Sequence, residues 1–396
     1  MGTRQGLGRS NEAASAALGA WGLLLAVLFL MLGSGLLGTV IGLRAELAEF
    51  NDGVIGLVLA GYYGGFLIGA LSVPRFVANV GHIRVYAALA SLASIAALVH
   101  AVLVDPTLWF VMSVMTVFAL SGLYIVAESW LNDRSTNATR GRLLSVYMIV
   151  VMGGIALSQL LLTVADPEGA RLFILASILV SLAVVPVTLS AGSAPDFRWT
   201  PRLPVRDIWN AAPVGLIGGF GAGMTNGGIM AIGAVYGSRV GMSVDRIAIF
   251  MGLLILGSVI LQWPIGALSD RIRRRIAILL VSLVAAGVAA VNAVVDPLSL
   301  GALIAVFAFG GLTFPLYSLA LSHINDVVPA GATISVSAVY VFVAGIGAII
   351  GPLAATLALS SVGPAGVFWL MCAVHLAVAL FAAGRIQVRK GLPVRA

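Results

Sequence analysis

A near-duplication at a spacing of 197 residues constrains this chain more than any other feature. The tetrapeptide GALS at Gly69–Ser72 recurs at Gly266–Ser269. A second pair, YIVAESWLND (Tyr124–Asp133) and YSLALSHIND (Tyr317–Asp326), is offset by 193, with Tyr, Ala, Ser, Asn and Asp in register. Each copy sits in a stretch of about two hundred residues that is apolar nearly throughout, the pattern of a membrane protein made by repeating one bundle. Proteins built in this way usually move something across the membrane.

Composition excludes the main alternative. Only 9% of the residues are charged and the mean hydropathy is +1.09, whereas a water-soluble domain carries about 25% charge. A soluble two-domain enzyme would have no polar skin. The 47 glycines suit the close helix contacts of membrane bundles. The single cysteine, Cys372, lies in an apolar run and rules out an intrachain disulfide or a cysteine metal cluster. The net charge of +7 is read by its sidedness across a membrane, not as a sign of nucleic acid.

A bilayer-crossing helix needs roughly 20 apolar residues. Such runs fall near 19–43, 54–77, 83–104, 107–131, 141–164 and 170–190, then 210–236, 244–268, 275–295, 299–322, 331–357 and 363–384. They predict an all-α membrane protein of twelve transmembrane helices in two pseudo-symmetric six-helix bundles, residues 19–190 and 210–384. Residues 1–18 read as a cytoplasmic tail, 191–209 as a polar cytoplasmic linker and 385–396 as a second cytoplasmic tail. The first run is too long and undivided for a cleaved signal peptide, and no small-residue cleavage site follows it. With both termini inside, 18 of the 22 arginines and lysines face the cytoplasm. Arg44, Arg171, Arg239 and Arg246 fall outside, with eight acids that include Glu46, Glu49, Asp52, Asp105 and Asp296. Inverting the topology would break the positive-inside rule in nearly every loop.

The segment GALSDRIRRR, Gly266–Arg275, resembles the loop motif G-x-L-x-D-R-x-x-R-R of the major facilitator superfamily. Gly266, Leu268, Asp270, Arg271, Arg274 and Arg275 occupy the motif positions, and the chain is similar to that superfamily over nearly its whole length. The stretch from Tyr124 through ESWLNDRSTNATRGR to Arg142 resembles its bacterial YcaD-like branch. The resemblance implies the major facilitator fold, a place in the bacterial cytoplasmic (inner) membrane, and a loop that latches one bundle against the other. Asp270, Arg271 and Arg274 would form that latch. The first copy, GALSVPRFVANVGHIR, keeps Gly69, Leu71, Arg75 and Gly81 but has Val73 at the acid's position, followed by Pro74. Gating is therefore expected mainly at Asp270, with Arg75 and the repeat-related Asp133 and Asp326 as further members. Helix capping is the plainer reading of those two aspartates. Drug/proton antiporters of the superfamily carry a G-x-x-x-G-P-like motif in the fifth span. Here that span has Gly153 and Gly154 without proline, and GAIIGP ends at Pro352 in the eleventh. No motif establishes efflux.

Glu128, one turn before Asn132 and Asp133, is the sharpest candidate for proton coupling, because ionisable groups in membrane spans are costly and mark function. The competing reading is an interfacial clamp with Arg140 or Arg142. His323, where the first half has Trp130, is the second coupling candidate. His375 lies mid-span in a twelfth helix, which in this superfamily usually stands outside the cavity; His82 and His100 read as solvated or structural. The scatter of these rings offers no metal-ligand spacing. Cavity-lining groups are expected from Tyr62 and Tyr63, Tyr124, Tyr147 and Gln159, Thr225 and Asn226, Gln262 and Trp263, and Tyr317 and Tyr340. The glycines of GGFGAGMTNGG, Gly218–Gly228, either loosen a helix to present Thr225 and Asn226 to substrate or serve close packing around a satisfied Asn226. Arg44 is expected to pair with Glu46 or Glu49.

These features point to a secondary active transporter working by alternating access, with substrate held between the bundles near the midplane. No fixed positive charge appears mid-membrane in the first six spans, and the candidate lining is aromatic and weakly polar. That favours proton-coupled export, by antiport, of a neutral, cationic or amphipathic compound. The alternatives are proton-coupled import of a sugar or monocarboxylate and a non-transporting membrane sensor. An embedded enzyme would need converging catalytic groups, and no GxxxxGK[ST] phosphate loop is present for ATP. Expected partners are a small-molecule substrate, protons and the lipid bilayer, with no cofactor, metal or nucleic acid, in a protein functional as a monomer.

Overall fold

The computed structural model describes residues 21–133, 140–189, 205–327 and 333–390. They form α-helices and one short 3-10 turn, with no strand among the described residues. In the first half these are α1 (Trp21–Leu47), α2 (Asp52–Val80), α3 (His82–Val102), α4 (Pro106–Asp133), α5 (Arg140–Leu160), α6 (Arg171–Leu182) and the short α7 (Val184–Leu189). After the short α8 (Val205–Ala211) come α9 (Pro213–Arg239), α10 (Val244–Arg271), α11 (Arg274–Val294), α12 (Leu300–Asn325), α13 (Thr333–Val362) and α14 (Ala365–Lys390). Long apolar runs become helices because hydrocarbon offers no partner for an unpaired backbone group.

Eleven described helical stretches are long and apolar enough to cross a bilayer. The expected seventh span, α9, is 27 residues long, but its glycines and Asn226 dilute its apolar character. Several helices run past the ends expected for their spans. The first GALS segment and the residues after it lie within α2, through Pro74 to Val80, and the second lies in the last turns of α10. Sharp reversals fall where the backbone needs a positive φ, at Gly81 (93°) between α2 and α3 and Gly241 (77°) between α9 and α10. Ser243 and Ser299 cap α10 and α12 by accepting from the backbone N–H of Arg246 and Ala302.

Contacts divide the described residues into two compact units, 21–41 with 64–133 and 140–189, and 42–63 with 205–327 and 333–390. In the first unit α3 packs on α4 and α6. Its core includes Leu30, Val73, Tyr86, Leu120, Leu123 and Trp130. An aromatic knot pins three helices together: His100 of α3 lies 5.2 Å from Trp109 of α4 and 5.8 Å from Phe173 of α6. The His100 ring is structural, its Nδ1 2.8 Å from the Ala96 carbonyl oxygen. Close approach needs glycine where α2 crosses α4: a Cβ on Gly65 would lie 2.1 Å from the Val114 carbonyl oxygen.

The second unit pairs α9 with α13, α10 with α12 and α11 with α14. The α10–α12 crossing repeats the glycine device, since a Cβ on Gly257 would lie 1.9 Å from the Phe307 carbonyl oxygen. The end of α1 and the start of α2 belong to this unit. Gly42 approaches the Ala231 carbonyl and Gly56 approaches Thr356. Arg239, closing α9, is joined there to both Glu46 and Asp52, the latter at 2.7 Å. Glu46, one of two expected partners of Arg44, is thus held by Arg239.

Candidate functional site

In the first unit the polar groups gather around α4. Tyr124 and Glu128 are four residues apart, so they share one face of that helix. The Tyr147 hydroxyl of α5 donates to Glu128 Oε1 at 3.0 Å. The hydroxyl of Tyr124 is 2.9 Å from that of Ser34 on α1. Tyr86 of α3 joins the same cluster, fully buried, with a hydroxyl that has no hydrogen-bond partner among the described residues. A buried phenol without a partner forfeits about 1–3 kcal/mol, so a nearby guest or a rearranged neighbour would gain by satisfying it. Three phenols and a serine hydroxyl therefore gather in an otherwise apolar packing, with the Glu128 carboxylate exposed at its edge.

Gln159 lies deeper in the same unit and is fully buried. Its Oε1 accepts from Thr39 at 2.8 Å, and its Nε2 donates to Ser158 at 3.1 Å. It ties α1 to α5. Arg75 is exposed on α2. Asp133 ends α4, but its side chain, like those of Arg140 and Arg142, lies outside the described residues.

The second unit spreads its polar groups over several places. Tyr62 and Tyr63 of α2 touch edge to face, with ring centroids 5.6 Å apart. In the middle of the bundle, Thr225 of α9 donates to the Gly221 carbonyl and accepts from Thr313 of α12 at 3.0 Å. Thr313 is also 2.7 Å from Nε2 of His375 on α14. His375 is fully buried, and its Nδ1 has no partner among the described residues. The neighbouring Asn226 keeps a buried Oδ1 in the same condition. α9 continues as helix through this glycine-rich stretch, so the GGFGAGMTNGG segment is packed rather than unwound. Its glycines admit α13: a Cβ on Gly223 would lie 2.0 Å from the Ala344 carbonyl oxygen.

Elsewhere, Gln262 donates to Ser318 at 2.8 Å, while Trp263 beside it is 79% exposed. Tyr340 is fully buried and gives its hydroxyl to the Tyr317 carbonyl at 2.6 Å, with the two rings 4.8 Å apart. At the end of the unit, Arg274 Nε donates to Asp326 at 2.5 Å and its Nη2 to Asp270 at 3.2 Å. Arg275 Nε donates to Nε2 of His323 at 3.3 Å. Arg271 is exposed in the last turn of α10. Asp270, Arg274, Asp326 and His323, named separately from the sequence, thus meet in one corner. The sequence reading did not single out Tyr86, Ser34, Thr39 or Thr313. Only the aromatic and hydroxyl character of apolar spans marks them. Among the described residues no three His, Cys, Asp or Glu side chains gather where they could hold a metal ion.

Comparison with known proteins agrees with this architecture. Residues 215–395 match the family model of the Major Facilitator Superfamily. A protein of Yersinia enterocolitica described as an uncharacterized MFS-type transporter is 27% identical over 340 residues, covering 85% of this chain and 87% of its own. The uncharacterized MFS-type transporter YcaD of Salmonella arizonae is 26% identical over 333 residues, with coverage of 83% and 86%. This chain is distantly related to such proteins. Among solved structures, the nucleoside transporter NupG superposes with a TM-score of 0.76 at 14% identity, over 93% of this chain and 99% of that one. A bacterial homolog of the human lysosomal transporter Spinster, inward-facing and occupied, gives 0.74 at 16%, over 94% and 97%. At such identity the likeness is one of fold: an all-α, multi-pass membrane protein.

Proposed function

We propose that the chain is a major facilitator superfamily transporter of the YcaD-like branch, with twelve spans in two pseudo-symmetric six-helix bundles. Both termini lie in the cytoplasm and the bundles in the bacterial inner membrane. It moves a small organic molecule by alternating access, and we read the direction as proton-coupled export of a neutral, cationic or amphipathic compound. The family match, the transporter relatives and the transporter folds support the general reading. The observation that carries the coupling is the Glu128–Tyr147 hydrogen bond on an apolar helix, beside Tyr124 and the partnerless hydroxyl of Tyr86.

The chemistry follows from the cost of burying charge. Glu128 is exposed in this structure, and a conformation that shut its face from water would leave the ionised carboxylate the Tyr147 hydroxyl as a donor. Protonation turns the acceptor into a neutral acid, lowering the cost of a conformation that closes this face from water. A conformational preference of about 3 kcal/mol, linked to one proton, would shift the equilibrium by roughly 150-fold. Tyr124, Tyr86 and Ser34 then offer hydroxyls and ring faces to an amphipathic or cationic guest. Asp270, Arg274 and Asp326 are proposed to act as a latch whose pairs break and re-form during the cycle. His323, Gln159, Thr225, Asn226 and the remaining tyrosines stay secondary candidates for coupling and binding.

The test is internal pH in proteoliposomes of purified protein during addition of cationic drugs, sugars, amino acids and monocarboxylates. Proton movement out of step with a cationic drug supports export. A response to a sugar or monocarboxylate alone supports the importer. Folded protein silent to every class supports the sensor and contradicts the proposal.

A further inference from the structure

The second unit carries one ion-paired device at each end of α10, a helix of 28 residues and hence about 40 Å long. At the far end Arg274 lies between Asp270 and Asp326. At the near end, where α9 closes, Arg239 lies between Glu46 and Asp52. The Arg239 guanidinium meets both oxygens of Glu46, through Nε and through Nη2 at 2.8 Å, and reaches Asp52 from Nη2 at 2.7 Å. The two carboxylates are presented as one piece. Only residues 48–51 separate α1 from α2. Backbone N–H groups of Ala48, Phe50 and Ile55 close that turn onto the carbonyls of Arg44, Ala45 and Asn51, with Glu49 at φ 57°. Glu46 is the most withdrawn from water of the three charged side chains, at 14% exposure. Beneath them α1 meets α9 at Gly42 and α2 meets α13 at Gly56, contacts that can part without unthreading long side chains. Residues 21–41 of α1 and 64–80 of α2 belong to the other unit, so each helix changes unit partway along.

We propose that Arg239, Glu46 and Asp52 form a clasp that holds the α1–α2 turn on the end of α9 and opens as a conformational step. One guanidinium serves both carboxylates, so its withdrawal removes both attachments at once and leaves two like charges close together on the turn. The fork geometry makes the hold specific to arginine, since an ammonium cannot bridge both acids in the same way. The clasp is separate from the Glu128 cluster and lies a helix length away from the Asp270 corner. A fixed ion pair would leave the spacing of this end unchanged when neutralised; a clasp would not. The purpose of the opening rests on the alternating-access reading, whereas the clasp itself rests on these three side chains.

The experiment uses the full chain in lipid nanodiscs, carrying Cys372→Ala and spin labels at Gly53→Cys and Asp245→Cys, exposed positions in the first turns of α2 and α10. Pulsed electron paramagnetic resonance reads the distance between the labels, with no substrate present. The labelled chain with Arg239 intact is expected to show one dominant short distance. Arg239→Gln should add a longer one, raising the long-to-short ratio at least about fivefold. Arg239→Glu should raise it further, and Arg239→Glu with Glu46→Arg should bring it back, because one arginine again lies between two carboxylates. Arg239→Lys should fall between the intact chain and Arg239→Gln. If Arg239→Gln folds poorly, Asp52→Asn takes its place and must raise the ratio at least about twofold. Unchanged distances in the neutralised variant, or a charge exchange that restores nothing, overturn the clasp and leave the ion pair a fixture of the fold. Failure of the transport reading shows itself differently, as proteoliposomes silent to every substrate class while the distance shift persists.

Discussion

The same corner of the repeat is built in two ways. Trp130 and His323 are 193 residues apart, as are His82 and Arg275. In the first half His82 lies over Trp130, ring centroids 6.1 Å apart and planes within 17°, with its Nε2 3.2 Å from the Ser129 hydroxyl. In the second half Arg275 meets His323 through a hydrogen bond. The GALS segments diverge likewise. Val73, at the acid's position, is fully buried against Leu89 and Gly122, whereas Asp270 has a side chain 69% exposed and paired with Arg274. Packing closes the first corner and charge closes the second. A packed corner has one low-energy arrangement, while exposed ion pairs worth about 0–1 kcal/mol each can break and re-form. The duplicated scaffold therefore keeps its helices and closes its two corners differently.

Exchanging the two chemistries breaks the comparison most severely at the packed corner. Val73→Asp should destabilise the protein by about 3–5 kcal/mol, the cost of a buried carboxylate without a partner. The check is the yield and melting temperature of folded protein, and near-normal stability would mean that this corner is open. Arg274→Gln removes the shared partner of Asp270 and Asp326. It should cost about 1 kcal/mol of stability and, on the proposed latch, change the balance of conformations roughly fivefold, read from transport rate or from labelling of a reporter cysteine. The mirror exchange, Asp270→Val, should cost less than about 1 kcal/mol, since the group is largely exposed and keeps only one pair. Equal losses for Val73→Asp and Asp270→Val would remove the distinction between the corners.

The helices were legible because twenty-residue apolar runs have few alternatives in a bilayer. The corner at Asp270 and Asp326 was legible because the second copy of the repeat carries an acid where the first has Val73, beside an aspartate that both copies keep. The interior was harder to read. Thr225, Thr313 and His375 come from three helices that are apolar almost all round, so periodicity gives no inward face. Their meeting depends on helix rotation, set by side-chain packing such as that of Gly223 on Ala344. The same limit hid Tyr86, whose aromatic ring reads as core and whose hydroxyl matters only beside Tyr124 and Tyr147. It also hid Arg239, whose partners Glu46 and Asp52 lie nearly two hundred residues earlier in the chain. Trp263 shows the reverse, an aromatic in an apolar run that the fold leaves 79% exposed.

The central claim is that Glu128 couples protons to transport, and Glu128→Gln tests it most directly. The substitution keeps shape and accepts from Tyr147 but cannot ionise. In proteoliposomes with a substrate that drives proton movement, the variant should lose that movement by at least about a hundredfold, the scale of a coupling worth ~3 kcal/mol, while folding and binding normally. Substrate-driven proton movement that survives in Glu128→Gln would contradict the account and move the coupling to another group, His323 first.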